Sequence, residues 1–187
     1  MLIFLRTLSS LAIATLMSIA LLQIAGAAEL QLGSAAREFR LEGLDNKTVA
    51  LSDLRGKFVV LHFAATWCPF CAAEAAHLEG LHQKYRNKGV AVAIIDVKEG
   101  KSKVAKMAKK FGFTFPVLLD SNGSVAKDFA PPPHVLPDLQ RDEVMIASNL
   151  IIDPDGKIQF FSLLDTGNFD AKLIKLQARL DELLKSK

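Results

Sequence analysis

Six almost unbroken apolar residues, Phe58-Val59-Val60-Leu61-His62-Phe63, lead within four positions into Trp67-Cys68-Pro69-Phe70-Cys71, and that junction constrains the chain more than any other feature. A short run so rich in β-branched and aromatic residues fits a strand buried on both faces. Beyond it, Leu78, Leu81 and Tyr85 recur at helical spacing among polar residues, and Asn87-Lys88-Gly89 ends the run. The cysteines therefore fall where a central strand meets the N-terminus of a helix predicted over 69–87.

The rest of the pattern builds a sheet around that junction. Alternation around Phe39 to Leu41, a turn at Asp45-Asn46-Lys47 and a second run from Thr48 to Leu51 predict an N-terminal β-hairpin. Val90 to Val97 is a further apolar strand. A helix follows, with Val104, Met107, Ala108 and Phe111 on one face and a stop at Gly112, then a strand from Phe115 to Leu119. Alternation of this kind implies β-α-β units in a mostly parallel sheet. Ala130-Pro131-Pro132-Pro133-His134-Val135-Leu136-Pro137 forbids helix and predicts a surface loop. Leu150-Ile151-Ile152 and Lys157 to Leu163 flank the turn Asp153-Pro154-Asp155-Gly156 as an antiparallel hairpin, and Leu173, Leu176, Leu180 and Leu183 mark a C-terminal amphipathic helix.

With 187 residues, the chain has room for one substantial core. Residues 1–27 read as a signal peptide, or else as a membrane anchor. Arg6 is their only charge, Leu8 to Ile24 is almost wholly apolar, and Ala25-Gly26-Ala27-Ala28 supplies small residues for cleavage. Residues 28–187 then form one domain facing an extracytoplasmic compartment, periplasmic or otherwise secreted, with membrane contact only if the leader stays attached. The net charge of +3 arises from acidic and basic residues mixed along the chain, without the basic runs of a nucleic-acid surface.

The chain has two cysteines, and they close almost no loop, so a stapling role is a poor reason for them in an oxidising compartment. Residues three apart on a helix have Cβ atoms about 5–6 Å apart, within reach of a reversible disulfide after modest adjustment. Cys68, ahead of the helix, is expected to be the exposed nucleophile, its pKa lowered from about 8.5 into the range of about 3.5–7.5 by backbone N–H groups and the helix dipole. Cys71, one turn further in, is the expected resolving thiol. Exchange then proceeds through a mixed disulfide and needs no cofactor. Pro69 suits the first helical turn, and Trp67 either shields the sulfur or is an ordinary core aromatic.

Gly56-Lys57-Phe58-Val59-Val60-Leu61, the run Phe63-Ala64-Ala65-Thr66-Trp67-Cys68-Pro69-Phe70-Cys71-Ala72-Ala73-Glu74, and Asp153-Pro154-Asp155-Gly156-Lys157 together resemble the TlpA-like branch of the thioredoxin superfamily, redoxin-type domains. The similarity extends from about Gly33 to the end. It implies an α/β thioredoxin-like fold with a central mixed β-sheet flanked by helices. It also implies a periplasmic thiol-disulfide exchanger, more often reductive, serving cytochrome c maturation or other envelope proteins. Its partners would be protein thiols or disulfides and an upstream membrane electron donor or acceptor. The family usually has Trp at Ala64, Pro at Ala76 and a cis-proline at Ala147; a cis bond before Ala costs about 2.5–4 kcal/mol, so a trans bond is expected there. The proline-rich segment resembles an insertion of about a dozen residues.

Glu74, three residues after Cys71, matches the family's acidic position. It either carries a proton for the inner thiol or is a solvated acid near a helix N-terminus. His62 reads as a core or sheet-edge residue. His134 is the third ligand of an alternative reading, a copper-handling chaperone using Cys68, Cys71 and His134. Peroxidase chemistry is disfavoured, because the Pro of the peroxidatic motif is absent ahead of Cys68.

Overall fold

The computed structural model describes residues 31–186; the predicted leader, residues 1–27, lies outside them. Seven strands form one sheet in the order β2-β1-β5-β4-β3-β6-β7. They are β1 (Arg40–Gly43), β2 (Thr48–Ala50), β3 (Phe58–Ala64), β4 (Val90–Val97), β5 (Val117–Asp120), β6 (Ser148–Ile152) and β7 (Ile158–Ser162). The helices are α1 (Pro69–Tyr85), α2 (Lys101–Phe111), α3 (Ser124–Phe129) and α4 (Ile174–Lys185). The sheet is mixed rather than mostly parallel. Only β3–β4 and β4–β5 run parallel, because the terminal hairpins β1–β2 and β6–β7 both join the β-α-β core through antiparallel pairings.

β3 sits at the centre, every residue buried, paired with β4 on one side and β6 on the other. Alternation sends its side chains to two different surroundings. Phe63 meets Phe129 of α3 with ring centroids 5.5 Å apart, and Phe129 in turn meets Phe39 at 6.3 Å. His62 points the other way, toward α1. Tyr85, at the end of α1, donates its hydroxyl to Asp181 of α4 at 2.8 Å and so ties the two helices together.

Several boundaries moved from the sequence expectation. α1 stops at Tyr85, and a 3-10 turn, Arg86–Lys88, closes on Gly89 at φ 75°. The strand expected from Phe115 begins at Val117, since Pro116 has no N–H to give the ladder; its carbonyl still accepts from Ile94 at 3.1 Å. α3 was not predicted: the six residues between Gly123 and Ala130 are too short for periodicity to register. Among the described residues, no helix is long and apolar enough to cross a membrane.

Candidate functional site

Cys68 is the N-cap of α1, and its sulfur accepts the backbone N–H of Cys71 at 3.1 Å. A carboxylate or hydroxyl is the usual group at this position; here a sulfur does the capping, so negative charge on it meets the unpaired N–H groups of the first turn. Both cysteines are free thiols. Contrary to expectation, Cys68 is not exposed: it is 4% accessible and Cys71 is 1%. Cys68 nevertheless borders a groove of about 650 Å³, while Cys71 faces the interior. Their acidities are driven apart. The Cys71 thiol and the Cys71 and Phe70 N–H groups stabilise charge on Cys68 and hold it at about 6 against its burial. Cys71 is pushed far up by its hydrogen bond to Cys68 and by burial, with the charges of Cys68 and Glu74 acting in the same direction.

Trp67 is not a core aromatic: it is 62% exposed and lines the same groove as Cys68. Pro69 occupies the first helical position and is exposed. Phe70 packs edge-on against Phe169 at 4.9 Å, pinning the start of α1 to the segment after β7. The groove is also lined by Leu136 from the proline-rich segment and by Leu139, Val144 and Ile146 between it and β6. Ala147, at the position where the resembled family has a cis-proline, has a trans bond and φ 65°. Its N–H donates to the Phe63 carbonyl at 2.8 Å, which ties the lead-in of β6 to the central strand. His134 lies exposed in that insertion, and among the described residues no three His, Cys, Asp or Glu side chains gather as a metal site. Cys68, Cys71 and His134 are therefore not brought together as the copper reading required.

Glu74 is not a solvated acid. It is 3% exposed beneath the cysteine pair, where burial pushes its carboxyl up to about 8, against the hydrogen bond from Asn149 and with the charges of Cys68 and Asp170 adding to the rise. Asn149 Nδ2 donates to Glu74 Oε1 at 2.9 Å, and Asn149 Oδ1 lies 3.0 Å from His62 Nδ1. The sequence reading missed Asn149 and left His62 as a packing residue. The signal was there: each is the one strongly polar side chain within an otherwise apolar buried strand.

A second carboxyl group lies at the end of β4. Asp96 is buried, and that burial, helped by the neighbouring Glu99 charge, lifts it to about 7. Glu99 itself accepts from the Thr66 backbone N–H and, at 2.8 Å, from the Thr66 hydroxyl, so it braces the turn that presents Cys68. A carboxyl raised in the folded state binds more protons there than in the unfolded chain. Its contribution to stability is thus intact below about pH 4 and is lost as pH rises through about 7. Asp96→Asn is therefore expected to gain stability relative to the parent progressively from pH 4 to 7, read as the difference in urea midpoints; a difference independent of pH excludes the buried ionisation.

A model of the AhpC/TSA family matches residues 32–161. The thiol-disulfide oxidoreductase ResA of Geobacillus thermodenitrificans is 32% identical over 127 residues, covering 68% of this chain and 66% of that protein. The chain thus spans just under two thirds of that relative's length. Among solved structures, a candidate protein disulfide isomerase from Bacteroides thetaiotaomicron has a TM-score of 0.69 and 30% identity, over 83% of this chain and 91% of that one. A candidate thiol:disulfide interchange protein DsbE from Chlorobium tepidum has a TM-score of 0.65 at 22% identity, over 82% and 98%, a likeness of fold. The fold is thioredoxin-like, as the sequence led one to expect, and with its family model matched over most of its length the chain belongs to the AhpC/TSA family.

Proposed function

We propose that this chain is a thiol:disulfide oxidoreductase acting on protein substrates outside the cytoplasm, with Cys68 as nucleophile and Cys71 as resolving thiol. The observation that carries this reading is the Cys68 sulfur at the head of α1, accepting the Cys71 N–H at 3.1 Å and held at about 6 while Cys71 stays a thiol. A nucleophile with a pKa just below ambient pH combines a high thiolate fraction with retained nucleophilicity.

In the reducing direction, the Cys68 thiolate attacks one sulfur of a substrate disulfide. A Cys68–substrate S–S bond forms, and the departing substrate sulfur leaves as a thiolate that takes a proton from water. Cys71 then loses its proton, attacks Cys68 and releases the second substrate thiolate, leaving the Cys68–Cys71 disulfide. Glu74 is the acceptor for the Cys71 proton. Charge on Cys68 is one of the causes that raise Glu74, and the mixed disulfide removes that charge. Glu74 is therefore more fully ionised, and so free to accept a proton, at the step that calls for a base. The resulting disulfide has to be reduced again by an upstream donor; the apolar, signal-like run Leu8 to Ile24 supports an envelope compartment, where a membrane donor would be at hand. The reductive direction and service to cytochrome c maturation or envelope thiols follow the resemblance to TlpA-like proteins.

Alkylation of the reduced protein by iodoacetamide tests the central point. The rate at Cys68 is expected to rise with a midpoint near pH 6, while Cys71 stays unmodified throughout the neutral range. A midpoint at or above the ordinary value of about 8.5 overturns the reading.

A further inference from the structure

The polar cluster under the dithiol is drawn from three elements: Glu74 from α1, His62 from β3 and Asn149 from β6. His62 and Asn149 are direct partners in the β3–β6 register, so they project from the same face of the sheet, the face that α1 covers. All three are buried. Their donors and acceptors are matched in the arrangement the structure shows. Asn149 gives its amide N–H to Glu74 Oε1 at 2.9 Å, so the carbonyl end of the same amide faces His62 Nδ1 at 3.0 Å. A carbonyl only accepts, so in this arrangement His62 carries a proton on Nδ1, and burial, which pushes the ring down to about 4, keeps it neutral. That proton prevents the amide of Asn149 from turning over.

The carboxyl oxygens of Glu74 are thereby made unequal. Oε1 is taken up by Asn149, whereas Oε2, 3.6 Å from His62 Nδ1, accepts no hydrogen bond from any described residue. Glu74 also borders a second, smaller cavity of about 170 Å³, whose walls carry Asp165, Asn168, Asp170 and Lys175 and which adjoins the groove beside Trp67 at Leu164 and Asp165.

We propose that His62 and Asn149 are positioning residues for the exchange reaction: they hold Glu74 under the cysteine pair, occupy Oε1, and leave Oε2 as the atom that takes the Cys71 proton and passes it to the cavity beneath. The inference rests on the reading of Glu74 as the proton acceptor. The charged and titratable groups that bear on this carboxyl are Cys68 and Cys71 on α1 and its cap, His62 on β3, and Asp165, Asp170 and Lys175 on the cavity wall before and at the start of α4.

Two results test it. In the wild-type protein, nitrogen-15 NMR of the His62 ring is expected to give the Nδ1-protonated neutral tautomer from pH 5.5 to 8. An Nε2-protonated ring overturns the proposal, since it offers Asn149 Oδ1 no donor from Nδ1, and so does an imidazolium in that range, since a charged ring would pair with Glu74 Oε2 and no longer leave it as the open acceptor. In kinetics, the resolution rate of a preformed mixed disulfide between Cys68 and a chromogenic thiol is followed against pH. Removing the hydrogen bond to Oε1 in Asn149→Leu, or its anchor in His62→Leu, is expected to slow resolution roughly tenfold and move its pH midpoint upward, on the scale of a displaced general base. His62→Asn, which keeps a donor facing Asn149, is expected to retain the midpoint. If Glu74→Gln leaves rate and midpoint unchanged, the reading of Glu74 itself fails. If Glu74→Gln is slow while Asn149→Leu and His62→Leu both behave as wild type, the reading of Glu74 stands and this inference fails. Should His62→Leu not fold, Asn149→Leu and the ring tautomer decide the matter.

Discussion

Cys68→Ala is expected to abolish insulin reduction by the full chain, a fall of at least about 100-fold, well inside what removing a covalent nucleophile costs other enzymes. Cys71→Ala is expected to lose turnover as well, yet for the opposite reason. Its Cys68 remains at the head of α1 with the Phe70 and Cys71 N–H groups in place, so attack proceeds and the mixed disulfide accumulates with no inner thiol to release it. One factor weakens this variant. The leading cause of Cys68 acidity is the Cys71 thiol itself, so in Cys71→Ala the alkylation midpoint should move up from about 6 toward the ordinary thiol value. Mass spectrometry of the non-reduced protein separates the two variants: covalent adducts at Cys68 in Cys71→Ala, none in Cys68→Ala. Equal residual turnover in both would sink the assignment of nucleophile and resolver.

Phe129→Ala is expected to cost about 3–5 kcal/mol of folding stability, the range for truncating a fully buried aromatic. Phe129 is fully buried, and its ring meets both Phe63 of β3 and Phe39 ahead of β1. The cavity would open under the strand that carries the site and against the N-terminal hairpin at once. Neither partner can move in to fill it, since Phe63 is fixed by pairing on both sides of β3 and Phe39 by its carbonyl, which accepts from Leu51 at 3.1 Å. Denaturant unfolding reads the effect; a midpoint change worth less than about 1 kcal/mol would mean that the site collapses far more easily than two pinned rings allow.

That residue also marks how far the sequence could be read. The strand-to-helix junction was legible because two periodicities, continuous apolar residues and then helical spacing, change within a few positions, and both outer hairpins were legible from their turn residues. α3 was not, because a helix of six residues completes fewer than two turns and leaves no repeat to recognise. The same physics divides the site. Cys68, Cys71 and Glu74 stand at fixed offsets along one helix, so local spacing places them. Asn149 reaches Glu74 across 75 positions of chain and His62 across the β3–β6 register. No local pattern carries that pairing; only the observation that a His and an Asn interrupt strands otherwise built to exclude water could have raised the question. Burial of Cys68 and exposure of Trp67 were likewise invisible, since both depend on where the proline-rich insertion comes to rest.

The placement of Trp67 has a practical side. It is the sole tryptophan of the chain, the one tyrosine is buried at the far end of α1, and the indole stands in solvent one residue from the sulfur that changes state. Ultraviolet emission from the unlabelled protein therefore originates almost entirely beside the dithiol. A thiolate and a disulfide quench an adjacent indole to different degrees, so oxidation and reduction of this pair can be followed by eye of the fluorimeter alone, with the molecule serving as its own optical gauge.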